Sequence, residues 1–488
     1  MNIEKKNIGI LGLGISGYWA AKLANSMGAN VFVSELNNKS LYDKELEKLD
    51  IELEVGEHSE KILNCDLIIK SPGVPNNSEI VKKIKRNHIK IMGEMEFAYQ
   101  NSDIKIVAVT GTNGKTTVVT ALYEILKKSR NVLQGGNIGT PFSQLVFENQ
   151  LNKKHNFDFA VLEVSSYQSE DFISFKPNIG LILNCEDDHI DVHGSYENYI
   201  EAKLNLFNNM DKEDYAIYNY DEEGFYHKFK NLEKQTNVVP FDFQSAENSM
   251  YYYSSPNLLK SSEDKRVRLW PSRLHQMKNP NKERGETDFF SVNKGHLHLN
   301  GKHDIENFIA VATVCSIIGI NENETFNYIK NFKGLEHRFE IFKEVENSQK
   351  QIIFINDSKS TNGLSVRSAL NKCFGLGKRN VALILGGKSK KINYADYVFF
   401  PYGLSSKYIR VVAYGESAEE IKSNLSSYDH QVDIVVDFKN AVYKSIDIAN
   451  QFKYGAVLLS PGGSSFDQFD NFEHRGKVFK DIVEEYYS

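Results

Sequence analysis

Short apolar runs separated by helix-length amphipathic stretches recur along most of the chain. In the first hundred residues these runs are Asn7–Leu11, Val31–Val33, Leu67–Lys70 and Ile89–Met92, and their near-continuous apolar character predicts strands buried on both faces. A second series, Ile104–Val109, Phe159–Val164, Ile179–Asn184 and Tyr215–Asn219, alternates with helical patterns such as Lys115–Leu126 and Ser195–Asn208. From about Gly334 a third follows: Gln351–Ile355, Val381–Leu385, Ile409–Tyr414, Val432–Val436 and Ala456–Leu459. Strands alternating with helices imply parallel sheets. Between Phe241 and Leu299 the pattern lapses into polar stretches and a tyrosine triplet at 251–253, where long loops or a partly ordered insertion, a solvated surface excursion with an irregular hairpin, are expected.

One junction of strand and helix carries chemistry. Ala108-Val-Thr-Gly-Thr-Asn-Gly-Lys-Thr-Thr117 sits between Ile104–Val109 and Lys115–Leu126. Gly111 and Gly114 let backbone N–H groups face a phosphate, the helix N-terminus adds partial positive charge, Lys115 a full one, and Thr116 a hydroxyl for Mg²⁺. Val109 stands where the usual loop has its first glycine, so this is a shortened variant of the ATP-type P-loop. The expected fold is therefore α/β in three domains: 1–103 Rossmann-like, 104–334 a central P-loop-type ATPase domain, and 335–488 again Rossmann-like. A length of 488 residues suits three domains at about 150 residues each.

A second glycine-rich turn, Gly12-Leu-Gly14-Ile-Ser-Gly17, follows the first strand, and Glu35 closes the next. Its spacing is that of a dinucleotide fingerprint, yet three glycines and a helix N-terminus accept any diphosphate. Beside an ATP-type loop, this turn suits a nucleotide-linked substrate, with Ser71-Pro-Gly-Val-Pro75 as a nearby second turn. An NAD-dependent oxidoreductase and a ligand-free βα turn stay open.

Composition narrows the classes. A formal net charge of −6 offers no basic footprint for nucleic acid. No run approaches the roughly 20 apolar residues that cross a bilayer, and the start has no apolar leader, so no membrane insertion and a cytoplasmic location are expected. Cys65, Cys185, Cys315 and Cys373 form no CxxC pair and read as small core residues. There is no Ser-His-Asp pattern for nucleophilic catalysis.

Further motifs follow the loop in order: Glu163-Val-Ser-Ser-Tyr-Gln168, Asn184-Cys-Glu-Asp-Asp-His189-Ile-Asp191, Lys203, Gly301-Lys-His303, Asn307, His337-Arg338-Phe-Glu340 and Asn356-Asp357-Ser-Lys359. Together they make the chain resemble the Mur ligases over nearly its whole length. Asp304 departs from the family's usual asparagine after His303. The resemblance implies ATP-dependent amide formation through an acyl phosphate. It implies catalytic roles for Lys115, His189, Lys203 and Arg338, and ATP contacts from Gly111, Thr112, Asn113, Gly114, Lys115, Thr116, Thr117, Asn307, Arg338, Asp357 and Lys359. Mg²⁺ would be held by Thr116, Glu163, His189 and a carbamylated Lys203. Ile15, Ser16, Glu35 and Gly73, with Asn137, Ser165 and Gln168, would bind a UDP-sugar.

The Gly12–Gly17 turn and the tail Leu459-Ser-Pro-Gly-Gly-Ser-Ser465-Phe-Asp-Gln-Phe-Asp-Asn-Phe472 resemble the D-glutamate-adding branch in particular. That implies UDP-N-acetylmuramoyl-L-alanine and D-glutamate as substrates, the latter met by Thr361, Lys390, Ser465, Phe466 and Phe472, with Lys388 a near competitor for Lys390. A monomer that closes about Lys333–Leu335 is expected. A ligase with another acceptor and a nucleotide-gated binding protein are the remaining alternatives.

Overall fold

In the computed structural model the described residues are 1–38, 42–151, 157–186, 193–222, 224–241, 251–254, 266–271, 290–293, 302–332, 334–346, 350–377, 380–389, 393–398, 408–426 and 432–488. They fall into two compact units, one of Met1–Asn293 with Lys302–Asn331, the other containing Phe332–Ser488.

The first unit holds two parallel sheets. Strands β1 (Asn7–Leu11), β2 (Asn30–Glu35), β3 (Glu52–Val55), β4 (Leu67–Lys70) and β5 (Lys90–Gly93) lie in the order β3-β2-β1-β4-β5. The order reverses beside β1, so the ends of β1 and β4 open a crevice of the kind that receives ligands in doubly wound folds. The second sheet comprises β6 (Lys105–Thr110), β7 (Val132–Gly136), β8 (Phe159–Glu163), β9 (Ile179–Ile182), β10 (Tyr215–Asn219) and β11 (Asn237–Phe241), ordered β11-β10-β9-β6-β8-β7. Its central β6, flanked by β8 and β9, feeds the phosphate loop.

Polar groups join the two sheets. The buried Glu96 carboxylate accepts the N–H groups of Ile173, Ser174 and Phe175. Lys70 at the end of β4 pairs with Asp171 at 2.8 Å, a buried bridge, and Asn76 donates to both Glu170 and Asp171. Removing one partner of such a pair costs about 3–5 kcal/mol, because the other charge stays buried.

Between these sheets and the second unit in sequence, β12 (Tyr251–Ser254), β13 (Arg266–Pro271) and β14 (Phe290–Asn293) form an antiparallel meander. The stretch expected to hold long loops or a partly ordered insertion, with an irregular hairpin, thus contains a three-stranded antiparallel sheet among its described residues. Arg266-Val-Arg-Leu alternates with the strand period of two, a signal too short to stand out among the surrounding polar residues.

The second unit is built on β15 (Glu340–Glu346), β16 (Gln351–Asn356), β17 (Asn380–Gly386), β18 (Ile409–Tyr414), β19 (Val432–Ile434) and β20 (Tyr454–Gly462), ordered β15-β16-β20-β17-β18-β19. Only β15 runs antiparallel to its neighbour. Apolar cores cover both faces of this sheet. The four cysteines are buried and free, and burial pushes the Cys65 and Cys185 thiols up to about 11. Among the described residues no helix is long and apolar enough to cross a membrane.

Candidate functional site

The phosphate loop leaves β6 at Thr110 and enters the helix Lys115–Leu126 through Gly114, whose φ of +87° favours glycine. A side chain at Gly114 would also collide with Asn307, since its Cβ would fall 2.2 Å from the Asn307 Oδ1. Asn307, expected near ATP, is thus seated on the loop. Asn184 closes the loop from the end of β9: its Oδ1 accepts the N–H groups of Thr112 (3.0 Å) and Asn113 (2.8 Å), and its Nδ2 donates to the Asn113 carbonyl.

Lys115 folds back over the loop, its Nζ donating to the Gly111 and Thr112 carbonyls at 2.7 and 2.9 Å. The buried Lys203 Nζ donates to the same Gly111 oxygen at 3.0 Å and lies 4.3 Å from the Tyr199 ring centre. Two ammonium groups therefore share one carbonyl. Thr116 Oγ1 donates to Glu163 Oε2 at 2.6 Å, and Asn137 Nδ2 donates to Glu163 Oε1 at 3.0 Å. Glu163, at the end of β8, is 2 % exposed. A hydroxyl and a buried carboxylate beside a phosphate loop are hard oxygen donors that suit Mg²⁺, whereas an unmodified Lys203 ammonium has no lone pair to give.

Ser165 and Gln168 serve first as each other's caps. The Gln168 Oε1 accepts the Ser165 N–H at 3.0 Å, and Ser165 Oγ accepts the Gln168 N–H at 3.4 Å. Beyond them Ser166 Oγ, His193 Nε2 (3.0 Å), His193 Nδ1 and Glu170 Oε1 (2.7 Å) form a line. The sequence showed no such pattern, and Ser166 and His193 are both buried. His189 lies outside the described residues.

At the first sheet, Gly12 has φ +89°, and a Cβ on Gly17 would meet the Gly12 oxygen at 2.0 Å, so the turn is glycine-dependent twice over. Ser71 Oγ donates to that same oxygen at 2.8 Å, tying the second turn to the first. Glu35 Oε2 accepts the Leu13 N–H at 2.5 Å and its Oε1 accepts from Asn37. Glu35 therefore shapes the turn. Ile15, Gly73 and the apolar Leu36 are exposed around it, with Ser16 half-buried.

In the second unit His337 and Phe339 adopt left-handed backbone, φ +62° and +47°, holding Arg338 between them. Such strain, about 1–3 kcal/mol per residue, persists only where neighbours enforce it. Asn356 Nδ2 meets His337 Nδ1 at 2.8 Å, Asp357 Oδ1 accepts the Phe339 N–H at 3.0 Å, and the Lys359 N–H donates to the His337 carbonyl. Burial pushes the Asp357 carboxyl up to about 6, against the lowering effect of Ser460, the Phe339 N–H, Lys372 and Arg338. Lys359 Nζ lies 4.0 Å from the Phe472 ring centre. Arg338, Asp357, Lys359, Thr361, Ser465 and Phe472 all arise at one end of this sheet. Ser465 is buried, Thr361 and Phe472 half-buried and Phe466 69 % exposed. Lys390 lies outside the described residues, and Lys388 is exposed. Among the described residues, the grouping of Glu336, His337 and Glu340 could hold a metal, but Lys480 already bonds both carboxylates.

Residues 109–315 match the Mur ligase middle domain and residues 7–80 the MurD N-terminal domain. The chain is 32 % identical to the "UDP-N-acetylmuramoylalanine--D-glutamate ligase" of Thermoanaerobacter pseudethanolicus, over 99 % of both chains. The chain belongs to the Mur ligase family, in its MurD group. The protein of the same name from Elusimicrobium minutum is 35 % identical over 97 % of this chain and 96 % of its own. Among solved structures, the UDP-N-acetylmuramate-alanine ligase MurC of Thermotoga maritima superposes with a TM-score of 0.56 at 18 % identity, covering 98 % of this chain and 99 % of that one, which shows the fold. As a Mur ligase the chain is an ATP-dependent ligase. Asn184, Glu186 and Tyr199 escaped notice as site residues: Glu186 accepts from the Asn113 amide, and the Tyr199 and Thr112 hydroxyls are 3.1 Å apart. Asn184 and Glu186 were visible only as members of a motif.

Proposed function

We propose that this Mur ligase joins D-glutamate to the alanyl carboxylate of UDP-N-acetylmuramoyl-L-alanine in peptidoglycan precursor synthesis. The carboxylate takes the γ-phosphoryl group of ATP, releasing ADP. The D-glutamate amine then attacks the acyl phosphate, forming the amide and releasing phosphate. The observation that carries this reading is the loop Gly111–Thr117 with Thr116 bonded to the buried Glu163, on a chain similar over its full length to D-glutamate ligases.

Most of the catalysis is positioning and charge neutralisation. Lys115 moves from the loop carbonyls to the phosphates. Thr116 and Glu163, with His189, would hold Mg²⁺, and the ion would supply positive charge against the phosphates. Arg338, Asp357 and Lys359 meet ATP from the second unit, so closure about Lys333–Leu335 precedes phosphoryl transfer and keeps water from the acyl phosphate. The UDP-sugar lies on the Gly12–Gly17 and Ser71–Pro75 turns. The enzyme works as a cytoplasmic monomer.

Two ammonium groups on one carbonyl support carbamylation of Lys203, which would replace a cation by a carboxylate facing Lys115. Enzyme freed of CO₂ should lose most activity and regain it on adding bicarbonate, with a ¹³C carbamate resonance from labelled bicarbonate. Undiminished activity without CO₂ would exclude the modification.

The test of function is an acceptor screen with ATP, Mg²⁺ and UDP-N-acetylmuramoyl-L-alanine, reading phosphate and product mass. D-Glutamate alone should support turnover. Turnover with another amino acid would overturn the acceptor, and acceptor-independent phosphate release would overturn ligation.

A further inference from the structure

Arg475, near the start of the helix Phe472–Tyr487, is fully buried, and among the described residues no carboxylate pairs with it. All its partners are neutral. Nε donates to Ser358 Oγ at 3.0 Å, Nη2 to the Ser358 carbonyl at 2.8 Å, and Nη1 to the Gly463 carbonyl at 3.1 Å, with the Tyr414 hydroxyl at 3.5 Å. Ser358 Oγ in turn donates to the Phe472 carbonyl at 2.8 Å. One planar guanidinium thus binds the loop after β16, the loop after β20 and the helix start.

Those three segments carry the candidate acceptor residues: Thr361 lies three residues after Ser358, Ser465 two after Gly463, and Phe472 is bonded through Ser358. Burying a cation without a counter-ion is unfavourable. A leucine or methionine would fill the volume without that penalty, so the charge and the fork have a use. The planar fork sets the spacing of the loops that carry those candidate residues.

We propose that Arg475 is a positioning residue for the incoming amino acid: it fixes the loops bearing Thr361, Ser465 and Phe472 relative to one another. This rests on the ligase reading above. Lysine keeps the charge but cannot bridge three segments.

The test is steady-state kinetics of the full-length Arg475→Lys enzyme, varying each substrate, beside melting temperature. The acceptor KM should rise about 10-fold or more while kcat falls less than about 3-fold and the KM for the UDP-sugar stays within about 2-fold. A purely structural role predicts a lower melting temperature and a smaller active fraction with all KM values unchanged, and that result overturns the proposal. Should Arg475→Lys not fold, Ser358→Ala removes only the shared hydroxyl. The same acceptor-specific KM rise supports the proposal, and unchanged KM values overturn it. Wild-type turnover with D-glutamate is measured first, which tests the ligase reading separately. If another amino acid supports turnover, the variant-to-wild-type KM ratio is read with that acceptor.

Discussion

Asp357 is a carboxylate placed where its charge is unwelcome. Its folded pKa of about 6 exceeds the unfolded value of about 3.9, so the native state holds a proton that the unfolded chain has lost. Stability contributed by this group therefore falls as pH rises from about 4 to about 6 and is flat above. Asp357→Asn should remove up to about 3 kcal/mol of penalty at pH 8 and almost none at pH 4. Melting curves across that range should show the variant gaining only above pH 5, while its ligase activity drops. An equal gain at both ends would contradict the assignment. Residue-level chemistry was legible where it is local in sequence: Gly111 to Thr116 announced themselves. Asn184, His193 and Arg475 did not, because their partners lie 71, 27 and 117 residues away.

At the scale of elements, the strands readable in advance were those with continuous apolar runs, such as β1, β4, β10 and β18. Four strands that were missed, β3, β7, β11 and β15, are all sheet edges. Half-exposed Glu52–Val55, glycine-bearing Val132–Gly136, proline-containing Asn237–Phe241 and charged Glu340–Glu346 each carry the features by which edges avoid unwanted pairing, and these features blur the apolar signal. The first turn gives an element-scale prediction. Gly17→Ala would set a methyl 2.0 Å from the Gly12 oxygen, forcing the helix Ile15–Ser26 away from β1. It should destabilise the protein by about 1–3 kcal/mol and weaken UDP-substrate binding, as checked by denaturant titration and calorimetry. Unchanged binding would show that the turn does not hold the diphosphate.

At the scale of the whole molecule, candidate ATP residues occur in both units: Lys115, Thr116 and Asn307 in one, Arg338, Asp357 and Lys359 in the other. Phosphoryl transfer that uses both sets requires them to meet. Solution scattering should show a smaller radius of gyration with a non-hydrolysable ATP analogue and UDP-substrate together than with neither. A radius unchanged by both ligands would contradict closure.

ATP-dependent ligation specific for D-glutamate is measured by following phosphate release and product mass in parallel for the wild-type enzyme and Lys115→Met. Coupled phosphoryl transfer and amide formation give one phosphate per amide, strictly dependent on D-glutamate, and a loss of about 10³-fold or more in the variant, on the scale of phosphoryl-transfer electrostatics. Phosphate released without amide, or a Lys115→Met enzyme as active as wild type, would contradict it.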